Sequence, residues 1–180
     1  PTWDGSGTDR GRVRVFGGSD LRELLVVEGL VPGEDFGRAL AGGADLDGDG
    51  VPDIVVGAPN ADGAAIDAGV VYAYSGADSQ LLFTVPGQAA GDRFGTSVAL
   101  VGDLDADGLA DLVVGAPLSD AAAADGGQVR ALSGLDGSVL LTWSGELPGI
   151  QLGRSVAGAG DVDGDGVGDV VVGVPRADTP

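Results

Sequence analysis

Apolar residues in this chain come in short runs, β-branched in places and closed by Gly, Pro or Asp, so strand signals dominate and helix signals are nearly absent. In the middle of the chain the pattern predicts strands at Thr96–Val101, Asp111–Ala116, Gln128–Ser133 and Ser138–Trp143. Leu112-Val113-Val114 is apolar without alternation, as are Ile54-Val55-Val56 and Val170-Val171-Val172, which predicts strands covered on both faces. Ala39-Leu40-Ala41-Gly42-Gly43-Ala44 and Ser155-Val156-Ala157-Gly158-Ala159-Gly160 consist mostly of small residues and suit a strand at a crowded axis.

The pattern repeats every 58 residues without a gap. That shift lays Phe36-Gly37 on Phe94-Gly95 and Leu152-Gly153, and Gly57-Ala58-Pro59 on Gly115-Ala116-Pro117 and Gly173-Val174-Pro175. It also aligns Gly11, Gly69 and Gly127, and Gly18, Gly76 and Gly134. The chain reads as one segment, 1–180, with units 1–58, 59–116 and 117–174 and a partial unit 175–180. A unit of this size cannot bury its own faces and stacks on its neighbours.

Four antiparallel strands per unit, sandwiched and converging on small residues, predict an all-β chain of β-propeller blades. A parallel β-helix is the runner-up, but its turns are much shorter. The sequence opens before a third strand (Val13–Phe16) and closes after a second (Val170–Val174), so two whole blades and two complementary half-blades are expected. Because known rings use at least about four blades, the halves are expected to pair elsewhere. The simplest case is a head-to-tail homodimer of six blades; the other is a segment of a larger propeller.

Composition narrows the chemistry. With 28 acidic groups, nine Arg, no Lys and no His, the net charge is −19, which repels nucleic acid and anionic membranes. The absence of Cys and His removes disulfides, thiol nucleophiles, His-based triads and the usual zinc or haem ligands. No apolar run approaches a membrane span, and the first residues lack a leader pattern; a start at Pro1 suggests an excised portion of a larger chain. Glycine, at 35 residues, is enriched without a triplet period, so neither collagen nor disorder fits.

The acids are concentrated in three loops of pattern D-x-D-x-D-G-x-x-D between the first and second strands. The candidate ligands are Asp45, Asp47, Asp49 and Asp53 with the Val51 carbonyl; Asp103, Asp105, Asp107 and Asp111 with the Leu109 carbonyl; and Asp161, Asp163, Asp165 and Asp169 with the Val167 carbonyl. Alternate carboxylates on a tight loop converge, the Gly at position six (Gly50, Gly108, Gly166) permits positive φ, and an all-oxygen cage selects Ca²⁺, at three sites per chain. Four carboxylates ~5 Å apart repel by roughly 3 kcal/mol per pair at an effective dielectric near 20, before screening. A divalent cation turns that repulsion into attraction. A helix-flanked calcium loop is excluded, because position twelve is Val56, Val114 or Val172 instead of a bidentate acid.

Together, Phe94-Gly95, Asp103-x-Asp105-x-Asp107-Gly108-x-x-Asp111 and Gly115-Ala116-Pro117 resemble the FG-GAP repeat of integrin α-subunit propellers and many bacterial surface proteins, over essentially the whole chain. The resemblance implies a β-propeller with calcium in the hairpin loops and carries the ligand role onto the Asp positions above. Departures are Leu152 for Phe, Val174 for Ala, and Ala106 where positions 48 and 164 are Gly.

The function expected is a calcium-binding, non-catalytic module for structural, adhesion or protein-interaction roles, secreted or at the cell surface, where millimolar Ca²⁺ fills modest sites. It assembles through half-blade complementation, with a protein or glycan ligand, no nucleic acid and no membrane insertion. Loops Asn60–Ala68 and Leu118–Gly126, opposite the calcium hairpins, are the ligand candidates. The alternative is a carboxylate-based glycosidase or lyase. Against it, Glu34, Glu146, Asp62 and Asp125 are scattered without an identifiable partner. Phe36 and Phe94 read as apolar plugs between blades in preference to ligand platforms, and Trp143 as an outer-strand packing or edge residue in preference to a sugar-stacking one, with Trp3 left open between the two; Arg38, Arg93 and Arg154 are expected to pair with nearby acids.

Overall fold

Short apolar runs separated by glycine-rich turns leave each strand little choice but to pair with the next in sequence. The structure, a computed structural model, describes residues 9–177. Its strands are β1 (Arg12–Phe16), β2 (Glu23–Glu28), β3 (Ala39–Gly42), β4 (Ile54–Ala58), β5 (Val70–Tyr74), β6 (Leu81–Pro86), β7 (Ser97–Leu100), β8 (Leu112–Ala116), β9 (Gln128–Leu132), β10 (Val139–Ser144), β11 (Val156–Gly160) and β12 (Asp169–Val172), with no helix among the described residues.

Two four-stranded antiparallel sheets, ordered β3-β4-β5-β6 and β7-β8-β9-β10, are propeller blades; β1-β2 and β11-β12 are two-stranded sheets on either side, and the described residues close no ring. The repeat fixes the ladder: Val56 faces Tyr72 in one blade and Val114 faces Arg130 in the next. In the middle repeat β7 is shorter than predicted at both ends. The Thr96 hydroxyl donates to the Arg93 carbonyl at 2.6 Å, closing a turn, and the first strand pair ends at Leu100 and Leu112.

The unbroken apolar runs have the expected cause. Val55, Val71, Ala73 and Val85 point from one face of the first blade into a seam with Phe94, Val98, Val114 and Leu132 of the second. From the opposite face Val56, Tyr72 and Tyr74 meet Val13, Leu25, Val27 and Phe36. Val113, Val129 and Ala131 pack toward Leu152, Val156, Val170 and Val172. Both faces of a central strand are therefore removed from water, and Phe36 and Phe94 are fully buried plugs between sheets, as expected.

β7 lies against both β3 and β11, so the small-residue strands of successive sheets adjoin. The first Gly of each motif bonds to the second: the N–H of Gly37, Gly95 and Gly153 donates to the carbonyl of Gly57, Gly115 and Gly173 at 3.2, 3.1 and 3.1 Å. Gly115 also tolerates no side chain, since a Cβ there would strike the Gly153 carbonyl oxygen of the next unit.

Candidate metal centre

Each acidic loop leaves the first strand of a sheet and returns on the second, so carboxylates at positions one, three and nine come from two strand ends and the turn between them. Asp45, Asp47 and Asp53 each offer an oxygen within 4.8 Å of the others, as do Asp103, Asp105 and Asp111, and Asp161, Asp163 and Asp169. Backbone N–H groups turn these carboxylates toward one another. The first acid folds the loop: Asp45 accepts the N–H groups of Gly48 at 2.7 Å and Gly50 at 2.8 Å. Asp161 does the same for Gly164 at 2.7 Å and Gly166 at 3.0 Å.

The fifth-position acids Asp49, Asp107 and Asp165 lie outside these trios. Each accepts the N–H of position seven (Val51, Leu109, Val167) at 2.7, 2.8 and 2.8 Å, an Asx turn that fixes the backbone of the expected carbonyl ligand. The middle loop departs in one place. Ala106 takes φ of 64°, where Gly48 and Gly164 take 80° and 81°.

Hard oxygen donors in this density fit a divalent cation of the calcium type. The charge balance agrees. Hydrogen bonds, the Gly50 N–H first, hold the Asp45 carboxyl below its usual range, whereas desolvation and then the charges of Asp53, Asp49 and Asp45 push Asp47 up. Asp111 is raised chiefly by burial, with Asp105 and Asp107 adding repulsion.

The ninth acid couples the loop to the rest of its blade. Asp53 accepts the Leu46 N–H at 2.6 Å and, with its other oxygen, the Gly76 N–H at 2.9 Å in the turn after β5. Asp111 repeats this with Leu104 at 2.6 Å and Gly134 at 3.0 Å. Asp169 bonds Val162 at 2.7 Å. Position two reaches the next blade: Leu46 is fully buried in the seam, and its Cδ2 would lie 2.9 Å from a Cβ placed on Gly134. These coupling residues carried a signal in the sequence, the alignment of Gly76 with Gly134, but no pattern said which acid they face.

Other expectations fare unevenly. Arg93 pairs with Asp67 at 3.3 Å and donates to the Asn60 side chain, tying the Asn60–Ala68 loop to the segment before β7. Arg38 and Arg154 form no ion pair among the described residues, contrary to expectation; both are exposed. Trp143 is a partly exposed residue on β10, and Trp3 lies outside the described residues. Glu34 corrects the reading of a partnerless loop acid. It is 1% exposed and accepts a hydrogen bond from the Tyr72 hydroxyl at 3.0 Å. Asp62 accepts the Asp67 N–H at 2.9 Å, while Glu146 and Asp125 are exposed.

Residues 36–74, 94–132 and 152–180 match the FG-GAP repeat. The chain is 34% identical to integrin alpha-5 of Xenopus laevis over 94% of its length and 17% of that protein's. It is 33% identical to integrin alpha-PS5 of Drosophila melanogaster, over 93% and 18%. It therefore spans about a sixth of the length of these relatives. Among solved structures, a rhamnogalacturonan lyase of Bacillus licheniformis is 20% identical over 74% of this chain and 31% of its own, with a TM-score of 0.35.

Proposed function

The chain belongs to the FG-GAP repeat family, and from that premise we propose that it is a calcium-binding, non-catalytic β-propeller module of adhesion or protein interaction. The observation that supports this reading is the threefold convergence of carboxylates at positions one, three and nine of the same loop, each trio within 4.8 Å. Asp45, Asp47, Asp49, Asp53 and the Val51 carbonyl would hold one ion, with the matching residues of 103–111 and 161–169 holding two more. A bound cation supplies charge neutralisation. The chain supplies the transmission: Asp53 and Asp111 grip the turns at Gly76 and Gly134, and Leu46 carries loop order into the next seam.

A non-catalytic role is favoured because the buried acids outside the loops already accept hydrogen bonds, Glu34 from the Tyr72 hydroxyl and Asp92 from the Ala89 N–H. Among the described residues β1 and β12 are sheet edges, and each would take a further strand in the same ladder. Millimolar calcium outside the cell suits sites of this kind. No helix of the described residues is long and apolar enough to cross a membrane.

Calorimetric titration of the purified chain with Ca²⁺ tests the reading. Uptake of three ions, with a melting temperature that falls on adding chelator, is expected; no uptake refutes it. Turnover on a glycan panel would refute the non-catalytic part.

A further inference from the structure

Resting on the calcium reading above, we propose that the first and second acidic loops take up their cations cooperatively, because a side chain of each loop packs on the backbone that positions an acid of the other.

Two contacts carry the inference. Leu46 stands between Asp45 and Asp47, yet its side chain leaves the first loop, is wholly buried and shares a core cluster with Leu112 and Leu132 of the second blade. Its Cδ2 would lie 2.9 Å from a Cβ on Gly134, and that Cβ would also strike the Ala110 carbonyl oxygen, so the turn has no spare room. The Gly134 N–H donates to Asp111 at 3.0 Å. A side chain of the first loop therefore rests on the turn that orients the ninth acid of the second. The reverse contact is smaller. Leu109, whose carbonyl is a candidate ligand of the second loop, has its Cδ2 3.9 Å from where a Cβ on Gly48 would stand, and the Gly48 N–H donates to Asp45 at 2.7 Å.

Carboxylates without a counter-charge repel one another, so filling a loop orders it. Order at Asp45 and Asp47 fixes the backbone that carries Leu46. A fixed Leu46 restrains the Gly134 turn and, through it, Asp111, which leaves the second loop less freedom to lose when its own ion enters. Ordering entropy saved in this way is positive coupling between sites, and linkage makes it equal in both directions. Charge works the other way, since filling one loop weakens the negative field at the other. Fields between exposed groups are screened over about 8 Å at physiological ionic strength, whereas packing contacts are not. Packing therefore sets the sign.

Calorimetry with Ca²⁺ on the full chain, at about 0.15 M salt, tests this through a thermodynamic cycle. D163A disables the third loop and leaves two sites; D47A/D163A and D105A/D163A leave only the second or only the first. The product of the two stepwise constants of D163A is expected to exceed the product of the single-site constants at least about fivefold, and a smaller factor overturns the proposal. L46A should bring the factor close to unity. L109A trims a half-buried side chain, keeps the carbonyl and opens no core cavity, and should lower the factor too; a factor that neither change lowers also overturns the proposal. Amide exchange gives a second readout with one loop filled. In D105A/D163A, calcium should slow exchange of the Gly134 N–H at least about threefold relative to chelator, and unchanged exchange with one ion bound counts against the coupling as decisively. Wild-type uptake of three independent ions defeats only the coupling, whereas no uptake defeats the calcium reading itself.

Discussion

The buried carboxylate of Asp111 accepts a hydrogen bond from the Gly134 N–H at 3.0 Å, twenty-three residues farther along the chain. Its other oxygen holds the Leu104 N–H at 2.6 Å, so one side chain joins the cation loop to the opposite hairpin turn. Asn can accept only one of these bonds. D111N is expected to cost about 1–3 kcal/mol for the donor left unpaired, read by urea unfolding in chelator. D169N should cost less, because the half-buried Asp169 bonds only Val162 among the described residues.

Asp105 lies exposed in its loop and adds repulsion to Asp111. D105A should therefore be at least as stable as the wild type in chelator yet less stable in calcium. At saturation a hundredfold above the dissociation constant the lost ligand term is about 2.7 kcal/mol. Parallel melts and a calorimetric stoichiometry falling from three to two check both signs.

Ala106 holds a left-handed conformation, φ 64°, that its counterparts assign to Gly. A106G should relieve strain of about 1–2 kcal/mol, partly offset by greater unfolded-chain entropy, for a net gain of about 0.5–1 kcal/mol. Chemical denaturation against wild type measures it, and a loss of stability would contradict the account.

A Cβ on Gly115 would strike the Gly153 backbone, whereas one on Gly173 meets the rotatable Ser155 hydroxyl first. G115A should cost about 1–3 kcal/mol, as overpacking does, and G173A appreciably less. Thermal melts of the pair in chelator make the comparison.

Burial pushes the Glu34 carboxyl above its usual range. A raised acid favours the protonated folded state, so this contribution is fully present at low pH and declines as pH rises from the unfolded value through the folded one. E34Q keeps an acceptor for the Tyr72 hydroxyl and carries no charge. It should lack this decline, becoming more stable relative to the wild type as pH rises from about 4 to 7. A constant difference across that range would refute the assignment.

The loops and strands were legible because each is local. Asp45 and Gly48, or the run Leu112-Val113-Val114, state their geometry within one turn or one strand, and the 58-residue period multiplies the signal. The partner of Glu34 was not legible. Tyr72 is thirty-eight residues away, and an acid in a polar loop looks the same in sequence whether it faces water or a seam. Arg38 and Arg154 failed for the converse reason: proximity in sequence to an acid does not direct a long side chain on a solvated surface.

What the sequence determined by itself was the periodic unit: four strands, an oxygen-rich loop between the first two, and glycines where backbones must meet. Hydrogen-bond range and strand alternation act over a few residues, and a repeated pattern exposes them. What only the tertiary structure decided was which side chains share a seam. Tyr72 with Glu34, Arg130 with Phe94 and Leu46 beneath Gly134 are brought together by the stacking of whole sheets, whose packing is set by shape and desolvation across units, not by spacing along the chain.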